Sequence, residues 1–381
     1  MGNISEFPED LLLMILSFVP TKDIVATSLV SKSWRCLWTK VSRLTYEAPY
    51  FSDKYTGFAR FLKESLLSHQ PHALETLYIN KRRCSLRIDI RPWIRTDVLC
   101  NLRELEVDSG VGYIRLPSFL FTCKKLVVLK LKGRIVVKLP STVCLPSLKT
   151  LHLLHLTLLK TESIHKILSN CPLLYDLRLE HDVMSNLHIA MPSLQRLTIV
   201  TGSIFGPSSN KLDRYFSHLE KISTPSLKYL NIQAWVSSVY VSVRLKSPSN
   251  FEDTSIYSRI VQLELSIRSS VFEELLIYLL KSSMNLLVLK ISNKLTLRNR
   301  WNWKPPSSVP TCLLSTLQTL EWRGYTGTCA EKEVLSYLLK HALCLKTAKI
   351  ITESCGLFKK MKKDLLSMPR GSTTCRIVLK Q

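Results

Sequence analysis

The sequence predicts an α/β chain built from a short helical head, a long run of strand-and-helix repeats and a terminal cap. Three observations carry this. Apolar residues in the first 44 positions are punctuated as helices, a leucine pattern with a strand-like spacing of two recurs between residues 74 and 291, and a Pro/Ser-rich stretch at 301–310 separates the repeats from the last segment. The domains expected are therefore 1–47, 74–299 and 300–381.

The head reads as three short helices. Pro8 suits a first helical position, and Glu9 and Asp10 put negative charge against the positive helix end. Pro20 stops that helix. Thr21 is placed to cap a second helix through Leu29 and Val30, and Ser31 a third that bears Trp34, Leu37 and Trp38. Helices this short must be held by packing. Leu11 to Leu16 form an unbroken apolar run that spreads round the helical wheel, and a segment of about 40 residues cannot cover two apolar faces by itself. A partner is implied.

The residues Phe7-Pro8, Leu11-Leu12, Ile15-Leu16-Ser17, Pro20-Thr21-Lys22-Asp23, Ser31-Lys32-Ser33-Trp34 and Leu37-Trp38 resemble a plant F-box along its whole length, with Phe7 where the family usually has Leu. Such segments dock on the Skp adaptor of cullin-based ubiquitin ligases. The resemblance implies adaptor contacts from Pro8, Leu11, Leu12, Ile15, Leu16, Val19, Pro20, Leu29, Val30, Ser31, Trp34, Leu37 and Trp38.

Beyond the head, L-x-x-L-x-L recurs at intervals near the range for leucine-rich repeats. Clear copies are Leu74-Leu77-Ile79, Leu102-Leu105-Val107, Leu126-Leu129-Leu131, Leu148-Leu151-Leu153, Leu174-Leu177-Leu179, Leu194-Leu197-Ile199 and Leu227-Leu230-Ile232; Ile260-Leu263-Leu265 and Leu286-Leu289-Ile291 are weaker. The last two apolar positions of each copy share one face of a strand, and the residue between them faces the other way. Pro146, Pro192 and Pro225 open copies with Pro-Ser-Leu, and proline sits well at a strand entrance. Helical spacing in Ile164, Ile167 and Leu168, and in Phe272, Leu275, Leu276, Leu279 and Leu280, supplies the convex side. The asparagine that usually follows the pattern is absent, and polar segments at Gly202–Asn210 and Ser247–Ser258 break the period. An irregular leucine-rich-repeat horseshoe is expected.

After the boundary, Val309-Pro310-Thr311-Cys312-Leu313, Leu320 to Gly327, Tyr337-Leu338-Leu339-Lys340, Cys344-Leu345-Lys346 and Pro369-Arg370-Gly371-Ser372 resemble the FBD domain that ends many plant F-box proteins. Read from residues, it is two more strand-and-helix units, Leu317-Leu320-Trp322 and Leu345-Ala348-Ile350, a basic amphipathic helix and a final strand from Cys375 to Leu379. It would cap the open end of the repeats.

Composition narrows the function. Apolar content of 46% is too high for disorder, no stretch reaches the roughly 20 residues that span a bilayer, and no signal-like leader opens the chain, so a cytoplasmic or nuclear protein is expected. Glu6 fails the myristoylation pattern at the start. Eleven scattered cysteines without a C-x-x-C pair favour reduced thiols over disulfides or zinc. The formal charge of +24 gathers in Lys81-Arg82-Arg83 with Arg87, Arg91 and Arg95, in Lys124-Lys125, and in Lys359-Lys360 with Lys362-Lys363. These clusters read as solvated faces, without the interleaved stacking aromatics of a nucleic-acid module.

No phosphate-cradling glycine loop, nucleophile elbow, H-E-x-x-H or spaced zinc pair is present, so neither enzyme chemistry nor a cofactor is expected. His152, His155 and His165 are close in sequence but fall on different elements. The resemblances imply a non-catalytic receptor that holds a target near a cullin-based ligase. The outward row Tyr78, Glu106, Lys130, His152, Arg178, Thr198, Asn231, Glu264 and Lys290 has a basic middle, and Lys130, His152 and Arg178 would suit an acidic or phosphorylated target. The alternative is a basic repeat scaffold that binds nucleic acid or an acidic ligand without a ligase role. Salt dependence separates the two.

Overall fold

The acidic first turn is as expected, but Pro8 and Pro20 occupy the N-caps themselves, so Pro8 precedes the first helical position and Thr21, expected as a cap, is the first residue of its helix. In the computed structural model, helix α1 (Glu9–Ser17) begins directly after Pro8 with Glu9 and Asp10 in its first turn, and α2 (Thr21–Ala26) begins after Pro20 and tightens into a 3-10 turn at Thr27–Leu29. The structure describes residues 7–32, 34–48, 55–70, 73–81, 84–94, 96, 100–156, 161–180, 188–201, 222–235, 255–268, 272–292, 303–352 and 358–380. The expected breaks at Gly202–Asn210 and over most of Ser247–Ser258, and Ser33, Arg82, Arg83, Arg95 and Trp301, lie outside the described residues.

The third helix expected from Ser31 is not there. Trp34 donates its N–H to the Ser31 carbonyl at 3.2 Å and Leu37 to that of Trp34 at 3.2 Å, so the chain advances by three-residue turns into a short 3-10 helix at Leu37–Lys40. Three-residue spacing eclipses side chains three apart. Trp34 and Leu37 are such a pair, and both are buried.

Two compact units follow, Met1–His181 and Asp182–Gln381. In the first, β1 (Arg43–Glu47), β2 (Thr76–Asn80), β4 (Glu104–Arg115), β5 (Val128–Val136), β6 (Thr150–Leu154) and β7 (Asp176–Glu180) pair in that order, all parallel, with β3 (Ile88–Asp89) against the far end of β4. Helices α3 (Tyr55–Ser68) and α4 (Thr161–Leu168) stand between rungs. Leu44, Leu77, Leu105, Leu129, Leu151 and Leu177 share one register line and none is more than 3% exposed. Truncating any of them to Ala would cost about 2–5 kcal/mol.

The first rung was hidden in the head. Val41, Leu44 and Tyr46 repeat the apolar spacing of the later copies and are fully buried, and β1 carries them into the sheet. The one irregularity in the pairing of β4 with β5 lies between Asp108 and Tyr113, where Gly110 takes a φ of 59° and Gly133 a φ of 91°, values a side chain resists.

The second unit pairs β9 (Arg196–Thr201), β11 (Tyr229–Trp235), β12 (Gln262–Arg268), β13 (Val288–Ser292), β14 (Thr319–Arg323), β15 (Thr347–Ile351) and β16 (Arg376–Lys380), again parallel and one-for-one. The two-residue strands β8 (Ile189–Ala190) and β10 (Ile222–Ser223) pair separately. Its helices are α5 (Ser255–Ser258), α6 (Phe272–Ser282), α7 (Thr311–Ser315), α8 (Cys329–His341) and α9 (Phe358–Ser367). Phe272, Leu275, Leu276, Leu279 and Leu280 of α6 are all buried, as their spacing requires.

An asparagine ladder is not needed to stitch the rungs. The Arg103 carbonyl accepts from Val127 and Val128 at 2.7 and 2.9 Å, that of Val127 from Lys149 and Thr150 at 2.9 and 3.0 Å, and in the second unit that of Lys228 from Val261 and Gln262 at 2.8 and 3.0 Å. One backbone oxygen at each strand start thus satisfies two donors of the next rung. No helix among the described residues is long and apolar enough to cross a membrane.

Candidate functional site

At about 100° per residue, Leu11, Met14, Ile15 and Phe18 gather on one side of α1 and Leu12 and Leu16 on the other. The structure uses the two sides differently. Leu12 and Leu16 are buried on the helix's inner side, while Leu11, Met14, Ile15 and Phe18 stay exposed, Phe18 by 84%. Just past α2, Leu29 is 89% exposed and Val30 is open beside it. Glu9 and Lys40 clamp α1 to the 3-10 helix at 2.7 Å, and the Thr45 N–H donates to the Thr21 hydroxyl at 2.6 Å, tying α2 to β1.

The thirteen residues expected at an adaptor contact therefore divide. Pro8, Leu11, Ile15, Pro20, Leu29 and Val30 are exposed, and Val19, Ser31 and Trp38 are half-buried. Leu12, Leu16, Trp34 and Leu37 are buried, so their apolar surface holds the head together and is not open to a partner in this structure. Phe7, Met14 and Phe18 are exposed as well and were not among the thirteen, although the period of 3.6 puts Met14 and Phe18 beside Leu11 and Ile15.

Below the head the chain is knotted to its first rung by buried polar groups. The Tyr46 hydroxyl meets the Ser65 hydroxyl at 2.8 Å, and burial pushes the phenol's pKa up. The two His69 ring nitrogens face the Val41 and Gln70 carbonyls at 3.0 and 3.1 Å; burial lowers its pKa.

The outward row exists in register. Tyr78, Glu106, Lys130, His152 and Arg178 stand opposite one another on successive strands of the first unit. Its basic middle, however, is largely compensated. Lys130 lies 3.2 Å from Glu106, Lys132 2.8 Å from Asp108, the His152 ring 3.7 Å from Asp176 and the His155 ring 3.1 Å from Glu180. Arg178 differs, since its Nε is buried without a hydrogen-bond partner among the described residues. The second unit has a row of its own through Glu264, Lys290, Glu321 and Lys349, alternating in sign. Burial raises the Glu321 pKa, but the Arg323 guanidinium at 2.6 Å, with Lys349 and Lys290, outweighs it and holds the carboxyl below its ordinary value.

One residue of the expected surface clusters behaves otherwise. Lys81 is fully buried; its ammonium donates to the Leu86 carbonyl and to the Tyr113 carbonyl at 3.2 Å, and burial brings its pKa down to about 8. Among the described residues no disulfide joins the cysteines, and Cys355 lies outside them. Burial pushes the Cys171 and Cys312 thiols up to about 12, each donating to a carbonyl, of Ile167 and Leu280, at 3.1 Å. No cluster of three or more metal-ligating side chains occurs among the described residues.

Stacked parallel rungs joined to a helical head with an exposed apolar side define a repeat protein of the interaction type. Comparison with known proteins agrees. A family model described as F-box domain matches residues 4–46, one described as FBD matches 304–350, and one for the LRR repeats of the FBD-associated F-box protein At5g56370 matches 90–210. The Arabidopsis thaliana F-box/FBD/LRR-repeat protein At4g26340 is 35% identical over 99% of this chain and 100% of its own length. At5g56420, which carries the same description in the same plant, is 36% identical over 98% of each chain. The chain belongs to the F-box/FBD/LRR-repeat proteins.

Proposed function

We propose that this protein is a non-catalytic substrate receptor of a Skp-cullin-F-box ubiquitin ligase. The observation that carries the reading is the exposed apolar surface of the head, where Leu11, Met14, Ile15, Phe18, Leu29 and Val30 remain in solvent on a segment that the F-box family model matches. An apolar patch of this kind on a soluble-type fold marks a protein interface. Pro8, Pro20, Val19 and Trp38 frame it, a Skp-type adaptor covers it, and the adaptor brings the cullin. The strand rows and the FBD segment then hold the target, and catalysis is proximity: the receptor raises the target's effective concentration near the ubiquitin-carrying enzyme and supplies no reacting group.

The alternating signs of the row in the second unit, and the carboxylate beside Lys130 in the first, favour protein recognition over a nucleic-acid groove, which gathers positive charge. Capture of a purified Skp-type adaptor tests the reading. Wild-type protein should retain it at high salt, and Ile15→Asp or Leu29→Asp should lose it, because a charge would be desolvated in the contact. Equal capture by either variant overturns the assignment.

A further inference from the structure

In the second unit, the start of α8 is fixed with unusual completeness. The Thr328 hydroxyl accepts from the Glu331 N–H, and the buried Glu331 carboxylate accepts from the Thr326 N–H at 2.9 Å, the Thr326 hydroxyl at 2.8 Å and the Thr328 N–H at 3.2 Å. The helix so placed faces α9, and Lys332 reaches Asp364 across the gap at 2.6 Å. Beside that bridge opens a cleft of about 680 Å³, walled by Trp303, Tyr337, Met368 and Pro369 and edged by Glu333 and Ser336. The cleft is open to solvent, with apolar and aromatic walls and a rim of charged and hydroxyl side chains.

Three features fix the chemistry. First, the Trp303 and Tyr337 rings meet at 61° with centroids 5.5 Å apart, so two π systems line one corner. Second, two carboxylates, Glu333 and Asp364, face one ammonium, Lys332, which leaves the cleft anionic in a chain of net charge +24. Burial first, then the Glu274 and Glu333 charges, push the Glu273 carboxyl up to about 7. Third, Tyr337 is half-buried, so part of its ring is left to the cleft while its hydroxyl is buried.

Aromatic walls with excess carboxylate select an organic cation. A guanidinium fits better than an ammonium, because it is planar, stacks on rings and presents a fork of donors to a carboxylate. We propose that the cleft between α8 and α9 binds an arginine side chain of an extended segment of the target protein. This deepens the receptor reading and rests on it: the FBD segment supplies an arginine pocket between its own helices.

The test uses the full-length purified chain and a fluorescent peptide, Gly-Ser-Gly-Arg-Ser-Gly, followed by polarisation. The arginine peptide should bind, and its citrulline counterpart, equal in shape but uncharged, should bind roughly tenfold weaker or not at all. Glu333→Gln, on an exposed side chain, should weaken arginine binding several-fold with an unchanged melting temperature; Trp303→Ala should abolish it. If Trp303→Ala melts early, the Glu333→Gln result alone decides. Equal binding of arginine and citrulline, indifference to Glu333→Gln, or no binding at millimolar peptide overturns the proposal. So does N-acetyl-arginine amide binding as tightly as the peptide, since a free small cation would then be the occupant. Adaptor capture, measured on the same samples, is read separately: lost peptide binding with intact capture sinks only the pocket, and the converse sinks only the receptor reading.

Discussion

Lys130 on β5 and Glu106 on β4 stand opposite each other at 3.2 Å, and Lys132 and Asp108 repeat the arrangement two residues further along the same strands at 2.8 Å. Both side chains of the first pair are more than a third exposed, so the pair is worth little by itself. Its value is in specifying which charge faces out. A target that used Lys130 would have to displace Glu106, whereas Arg178 has no such carboxylate hydrogen-bonded to its Nε among the described residues.

Lys130→Glu would place like charges directly across two strands. The expected loss is about 1 kcal/mol, read as a lower urea midpoint, and Lys130→Glu with Glu106→Lys should recover the midpoint to within a few tenths. A double variant no better than the single one would show that the ion pair is idle. Recognition by the row should respond more to Arg178→Glu than to Lys130→Glu.

The two sides of α1 should separate stability from docking. Leu12→Ala and Trp34→Ala remove buried side chains and should cost about 2–5 kcal/mol in chemical denaturation. Phe18→Ser and Leu29→Ser remove exposed ones and should leave stability within about 0.5 kcal/mol.

Lys81 should make stability rise with pH. Its folded pKa of about 8 lies below the ordinary 10.5, so below pH 8 the buried ammonium costs stability in full. Between the two values the folded protein has released the proton while the unfolded chain keeps it, and stability climbs. Buried Cys171 and Cys312 act in the opposite sense above their ordinary value of 9.0, since their raised pKa keeps them protonated only in the fold. The difference between wild type and Lys81→Met therefore isolates the lysine: it should change between about pH 8 and 10 and be flat below pH 7. A constant difference across that range would show that Lys81 titrates normally.

Glu273 predicts a slope of opposite sign at lower pH. Its pKa, raised from 4.5 to about 7 by burial and by Glu274 and Glu333, means that the fold prefers the protonated acid. The stability it contributes is present below pH 4.5 and lost as pH rises through 7. Glu273→Gln should raise the melting temperature at about pH 8 and leave it unchanged near pH 4. The same gain at both would remove the titration from the explanation.

Much of this was legible in the residues. The strands at Leu151-Leu153, Leu230-Ile232 and Leu289-Ile291 and the helix face from Phe272 to Leu280 lie where period two and period 3.6 put them. The rung Val41-Leu44-Tyr46 was equally visible but sat in residues already given to the head, and α3, with Phe58, Leu62 and Leu66 at helical spacing, sat in the gap left between expected domains. Inner and outer sides of α1 could not be told apart because Leu11 to Leu16 are all apolar, which leaves no polar residue to mark the solvent side. The ion pairs were out of reach for a different reason: Glu106 and Lys130 are 24 residues apart, and only the strand register makes them neighbours.

Strand β1 is both the last element of the head and the first rung of its unit, pairing residue by residue with β2 from Arg43 to Glu47. There is accordingly no swivel at that junction. A cut at residue 47 would strip the cover from Leu44 and Tyr46 and bare the edge of β2, so the head cannot be lifted off as a free module in the way a tethered domain can. A protein gripping the outer side of α1 would be held at a set bearing to the strands of that first unit, decided by how the sheet is stacked, with no tether whose length could adjust it.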